Sequence, residues 1–179
     1  MDIRSRSYGH PDAVSLSDQV QAEYRKRFGY DDFTDLHPAH FDPPKGLFLV
    51  AYDAGDPVAC GGWRAQERDD AGYADGDAEL KRMFVVERAR GRGLARRILA
   101  ALEESARDAG RTRMVLETGV HLPEAIRLYE ADGYRPTRPF GPFRAYEDSR
   151  FYAKSLEPSE PSGPSEPSGP SRASEEPGS

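Results

Sequence analysis

"VVERARGRGLARRILAALE", Val85 to Glu103, sets Gly91 and Gly93 among five arginines, between an apolar run and a helical pattern. A glycine at a helix start gives up as much as about 1 kcal/mol relative to alanine. Clustered arginines also repel one another, so something must gain from the arrangement, a solvated helix face being the plain alternative to a ligand site. A helix N-terminus exposes unpaired backbone N–H groups and about half a positive charge. Residues without a Cβ let a ligand reach those groups, and the result is a phosphate cradle. Two familiar cradles do not fit. Neither Lys nor Ser/Thr follows Gly93, as a P-loop requires. Arg96 stands where the dinucleotide fingerprint closes on Gly or Ala, and no acidic residue ends a strand about twenty positions on.

The elements around this junction describe a mixed sheet. "DIRSRSY" reads as a first strand, and Leu16, Val20, Tyr24 and Phe28 follow as the stripe of an amphipathic helix stopped by Gly29. Residues 30–46 are rich in Asp, Pro and His and read as a long loop with room for a helical turn. "LFLVAY" (47–52) and "VACGGWRAQ" (58–66) flank the turn "DAGDP" as a hairpin, and "DAELKRMFVV" (77–86) is a further strand. Leu94, Ile98, Leu99 and Leu102 predict a helix ending near Gly110. "RMVLET" (113–118) predicts a strand, and "PEAIRLYEADG" (123–133) a short helix between proline and glycine. "GYRP" and "RFYAKSL" (150–156) close the pattern as strands. The fold class is α/β, with one mixed sheet and helices on both faces.

Composition bounds the rest. The 179 residues suit one folded domain, expected over residues 1–156. From Glu157 to Ser179 the chain repeats "EPSGPS", with five glutamates against one arginine and no aromatic or branched aliphatic residue. Such a segment cannot bury enough surface to offset its ordering entropy, so a disordered tail is expected. The single cysteine, Cys60, suits a reducing cytoplasm and reads as a small core residue. The first twenty residues lack the apolar core of a signal peptide, and no apolar run approaches the roughly 18 residues of a membrane span. The formal charge of −6 disfavours a nucleic-acid partner, despite the arginines from Arg88 to Arg97.

"RGRGLA", Arg90 to Ala95, resembles the Q/R-x-x-G-x-G/A signature of the GNAT superfamily of acetyl-CoA-dependent N-acetyltransferases. The register Arg88 to Gly93 satisfies the same pattern, but Arg90 to Ala95 leaves a short loop after the strand and starts the helix at its leucine stripe. Order supports the resemblance. "AELKRMFVV" precedes the signature, and "AIRLYEADGY" follows one strand later, with a tyrosine four residues before a glycine–aromatic pair. "PVACGGWR" is similar to the family's preceding strand, so the likeness runs over about residues 3–156. It implies a mostly antiparallel sheet splayed between its central strands. Met83, Phe84 and Val85 would pair through their backbone with the pantetheine arm of acetyl-CoA, the co-substrate. The backbone N–H groups from Gly91 through Arg92, Gly93, Leu94 and Ala95 to Arg96 would take the pyrophosphate. Arg90, Arg92, Arg96 and Arg97 are the candidates for the 3′-phosphate.

The implied activity is acetyl transfer to a primary amine by direct attack on the thioester, an acyltransferase reaction of groups other than amino-acyl groups. A typical amine has a pKa near 10, so at pH 7 roughly one molecule in a thousand is nucleophilic, at a cost of about 4 kcal/mol. The departing thiolate then needs a proton, which a tyrosine with an ordinary pKa can supply. Tyr129 stands where the family's signature puts that donor. Glu79, eleven residues before Arg90, stands where some members carry a base; Glu117, His121, His37 and His40 are weaker candidates. Leu122 departs from the pattern, since many relatives carry asparagine seven residues before the tyrosine to help hold the cofactor. No metal is implied. The expected partner is a small-molecule or peptide amine, shaped by residues 30–45 and 138–150, with a homodimer as a candidate assembly. The alternative reading is a non-catalytic module that binds acyl-CoA as a sensor.

Overall fold

Seven strands form one open sheet in the order β1-β2-β3-β4-β5-β7-β6, and one pair of neighbours fails to stay together. The computed structural model describes residues 1–158 and Gly163. Apart from Glu157, Pro158 and Gly163, the expected disordered tail lies outside those residues. The strands are β1 (Asp2–Ser5), β2 (Gly46–Asp53), β3 (Asp56–Gln66), β4 (Asp77–Val85), β5 (Arg113–Gly119), β6 (Arg135–Pro136) and β7 (Ser149–Ser155). The helices are α1 (Pro11–Phe28), α2 (Leu94–Asp108) and α3 (Pro123–Ala131). Short 3-10 turns occupy Pro38–Phe41 and Glu87–Ala89. The element order is the one the sequence predicts, with boundaries moved by a few residues at most.

Local chemistry explains the elements. β2 and β3 join through Ala54 and Gly55, both at positive φ (49° and 86°), the turn whose twist matches a hairpin. α1 starts with Pro11 after the His10 cap, whose ring accepts from the Asp12 N–H. It stops at Gly29, left-handed at φ 82°, whose N–H bonds Arg25. Leu94, Ile98, Leu99, Leu102 and Ala106 form the buried stripe of α2. The faces of β3 show how the layers lie. A Cβ on Gly61 would meet Ile98 and Leu102 of α2, whereas one on Gly62 would meet Phe48 and Phe41 on the other side. Trp63 donates from Nε1 to Ser105 of α2 at 3.1 Å, and Arg82 on β4 donates from Nε to Ser17 of α1 at 3.1 Å. Helices therefore cover both faces.

Two irregularities in β4 create the working part of the molecule. Every adjacent pair is antiparallel except β4 and β5, which run parallel for three rungs, Asp77–Arg113, Ala78–Met114 and Glu79–Val115. Beyond Glu79 the two strands part. On its other edge β4 carries a register shift opposite Cys60–Gly62, and Arg82 there adopts φ 60°. This bulge turns Lys81 and Arg82 toward the same side, where both reach Asp32. The thiol of Cys60, fully buried, donates to the Arg82 carbonyl at 3.2 Å and braces the bulge.

Candidate active site

The parted strands open a cleft of about 590 Å³ lined by β4 from Leu80 to Val85, β5 from Leu116 to Gly119, the start of α2, one side of α3, and α1 with the loop after it. Tyr24 and Phe28 line it too. The α1 stripe thus divides: Leu16 and Val20 are core, while the later pair stays half-buried and faces the cleft.

At one end lies the glycine–arginine junction. Gly91 and Gly93 have φ 77° and 75°, and a Cβ on either would meet nothing within 4 Å. Gly93 is the N-cap of α2 and has no capping side chain, so the helix's first N–H groups stand free of side-chain partners. The arginines separate by role. Arg90 and Arg96 line the cleft, Arg90 donating to the Val85 carbonyl at 3.0 Å and Arg96 pairing with Asp132 at 3.1 Å. Arg92 turns away to Asp53 at 2.8 Å, and neither its side chain nor that of Arg97 reaches the cleft wall. Of the four candidates for a phosphate, the structure brings Arg90 and Arg96 to the cleft. Met83, Phe84 and Val85 line it beside them. Leu122 lines it as well, as the uncapped N-cap of α3, and puts an apolar side chain where the resemblance implies an amide.

At the waist stands Tyr129, 6% exposed and edge-on to Tyr134 with centroids 5.6 Å apart. Its hydroxyl bonds no described residue, yet among the described residues no buried side-chain polar atom lacks a partner. The hydroxyl therefore opens on the cleft. Burial, and then the nearby Glu117 carboxylate, raise its pKa well above the ordinary value, so it carries its proton at neutral pH. Burial also pushes the Glu117 carboxyl up to about 7, against the pull of Lys81.

The two glutamates differ because of where the strands part. Glu79 sits on the last rung of the β4–β5 ladder and does not line the cleft. It is 3% exposed and held by Arg64 at 2.7 Å and the Tyr73 hydroxyl at 2.6 Å, one donor on each oxygen. A carboxylate so engaged in a closed stretch of sheet is poorly placed to receive a substrate proton. Glu117, two residues beyond Val115 on the parted stretch, lines the cleft. The histidines stand outside it: His37 near Asp35, His40 beneath the His37 N–H, and His121 against Phe28.

Beyond the waist lie groups that periodicity alone does not single out. Asp32, just after α1, accepts from Lys81 at 2.6 Å and Arg82 at 2.5 Å. Burial alone would raise its pKa, but the two cations hold it well below the usual carboxylate range. Tyr30 and Phe143 stack at 17°, with centroids 6.3 Å apart, on the far wall. The adjacent charges of Lys81 and Arg82, which break the alternation of a strand, are the one sequence signal of this end.

The model of the Acetyltransferase (GNAT) family matches residues 13–134. The chain belongs to the GNAT family. An Azospirillum brasilense protein named IAA acetyltransferase is 39% identical over 118 residues, covering 61% of this chain and 73% of that protein. A Klebsiella pneumoniae structure, described as an acyl-CoA N-acyltransferase, superposes with a TM-score of 0.71 at 27% identity, over 87% of this chain and 97% of its own. The Salmonella typhimurium protein yncA, solved with its cofactor acetyl-CoA, has a TM-score of 0.65 at 20% identity, over 92% and 98% of the two chains, and shares the fold. Membership in the GNAT family supports an acetyltransferase activity that uses an acyl-CoA. Among the described residues no helix is long and apolar enough to cross a membrane.

Proposed function

We propose that residues 1–156 form a cytoplasmic N-acetyltransferase that moves the acetyl group of acetyl-CoA to a primary amine by direct attack on the thioester. The observation that carries this reading is the unpartnered Tyr129 hydroxyl opening on the cleft between the parted strands. The residues present fit the co-substrate. Open space over Gly91 and Gly93 leaves the α2 N–H groups and Arg90 to hold the pyrophosphate and a phosphate. The unpaired edge of β4 from Met83 to Val85 offers backbone groups to the amide-bearing arm. The thioester supplies an activated acetyl group with a thiol as leaving group.

The chain's own part is proton management. Glu117, with its pKa near 7, is half ionised at neutral pH and accepts the proton of the incoming ammonium, directly or through a water. It takes this role instead of Glu79, whose oxygens are occupied. Tyr129 delivers a proton to the departing sulfur and is reprotonated by the second proton that the attacking nitrogen sheds as the amide forms. The apolar lining from Leu122, Ala125 and Leu128 limits water access and strengthens both hydrogen bonds.

Release of free thiol from acetyl-CoA across a panel of primary amines tests the proposal. Turnover with at least one amine class is expected, together with a rise in Tm on adding acetyl-CoA; a ligand at a hundred times its Kd adds about 2.7 kcal/mol. A Tm rise with no turnover on any amine would make the chain a non-catalytic acyl-CoA-binding module instead.

A further inference from the structure

At the acceptor end the cleft is finished in a way that an amine alone does not require. Arg82 has a side chain only 4% exposed, beside Lys81 at 9% and Asp32 at 11%. Two cations thus share one carboxylate in a nearly closed site. Lys81 uses two of its three N–H donors, on Asp32 and on Thr34 at 3.2 Å. The Arg82 fork is only partly used. Its Nε donates to Ser17 and its Nη1 to Asp32, but Nη2 has no partner among the described residues. Since no buried side-chain nitrogen or oxygen there is left unsatisfied, Nη2 faces the cleft. A guanidinium fixed by two partners, with its remaining donor open to the cleft, is preset to take an anion there. The backbone carries a second sign. Arg82 is held at φ 60°, where a non-glycine residue is strained, and that conformation is what brings its side chain to this face.

The other carboxylates of the cleft argue against a polycationic acceptor. Glu23 and Glu124 both pair with Arg27, at 3.1 and 2.6 Å, and Asp31 pairs with Arg25 at 2.8 Å. The opposite wall is aromatic. Phe143 stacks on Tyr30 and meets Phe33 at 4.5 Å, and Phe33 is 54% exposed at the mouth.

Building on the acetyl-transfer reading, we propose that the acceptor is a free amino acid with an apolar or aromatic side chain. Arg82 binds its carboxylate, and Tyr30 and Phe143 bind its side chain. The amine is thereby fixed between Glu117 and Tyr129. A carboxylate fills the open side of the guanidinium fork and neutralises the surplus cation. The aromatic wall removes the side chain from water.

Three acceptors that differ at one group test this: phenylalanine, phenylalaninamide and phenethylamine. With saturating acetyl-CoA, kcat/KM for phenylalanine should exceed both others by about 10- to 100-fold, the range for one charge-assisted contact in a desolvated site. Arg82→Gln should bring the three within about threefold, mainly through KM, and Arg82→Lys should restore part of the preference. Should the variants fail to fold, the wild-type ratios alone decide. Equal or better use of phenethylamine or the amide by the wild type overturns the proposal while leaving acetyl transfer intact. Should none of the three be turned over, Tm with coenzyme A bound is read with each. A rise with phenylalanine alone upholds the carboxylate site, and equal shifts or none overturn it. Absence of both acetyl-CoA binding and turnover on any amine instead refutes the reading beneath it.

Discussion

In the proposed reaction Tyr129 and Glu117 divide the proton work, and each makes a separable prediction. Tyr129→Phe keeps the ring, and the lost hydroxyl bonds no described residue, so Tm should move little. The kcat should fall by about 10²–10⁴, the usual range for losing a general acid. A kcat within threefold of wild type would assign the proton to another donor. Glu117 works as the carboxylate, so kcat/KM should climb as pH rises through about 7. Glu117→Gln should remove that limb and leave a low rate that tracks the free-amine fraction, rising with pH up to the amine's own pKa. The sign for stability is opposite. The folded pKa lies above the ordinary carboxylate value, so the neutral form favours the fold, and that contribution fades as pH rises from about 4.5 through 7. Thermal melts of Glu117→Gln should therefore gain on wild type above neutrality. The spacing to a glycine–aromatic pair made Tyr129 legible in the sequence. The choice between Glu79 and Glu117 was not, because spacing along one strand does not reveal where its neighbour departs.

The junction between β4 and α2 was the most legible element, since its glycines and leucine stripe are local in the chain. Gly93→Glu should abolish the acetyl-CoA-dependent rise in Tm, by placing a carboxylate in the proposed pyrophosphate site. Its apo Tm should fall only slightly. Left-handed φ costs a residue with a Cβ on the order of 1–2 kcal/mol, and the site is open. Gly93→Asn is the control, because asparagine tolerates this conformation without adding charge. It should keep most of the shift, and equal loss in both variants would trace the effect to backbone strain. The bulge in β4 was less legible. Its consequence, two consecutive charged side chains on one face, breaks the alternation that a strand pattern assumes.

Across the whole molecule, the contacts that join distant segments were the ones the sequence concealed. Asp32 meets Arg82 fifty positions away, and this one carboxylate ties the chain after α1 to the splayed strand. Removing it with Asp32→Asn leaves two buried cations on neutral partners, which should cost about 3–5 kcal/mol. For a chain this size that lowers Tm by roughly 10 °C. Its pKa is depressed in the fold, so its contribution is full above the ordinary carboxylate range and is lost as pH falls below it. Wild type should lose stability at acid pH more steeply than the variant, and parallel acid curves would show that the pair contributes nothing net.

The placement of Cys60 has a practical consequence. It is the chain's sole sulfhydryl, wholly enclosed beneath the bulge, and burial raises its pKa to about 12. An inert protonated thiol does not compete for disulfide or maleimide reagents while the protein stays native. A colorimetric readout of liberated coenzyme therefore has a flat enzyme baseline, and one equivalent of reagent consumed per chain marks unfolding. The same cuvette reports both turnover and the integrity of the catalyst.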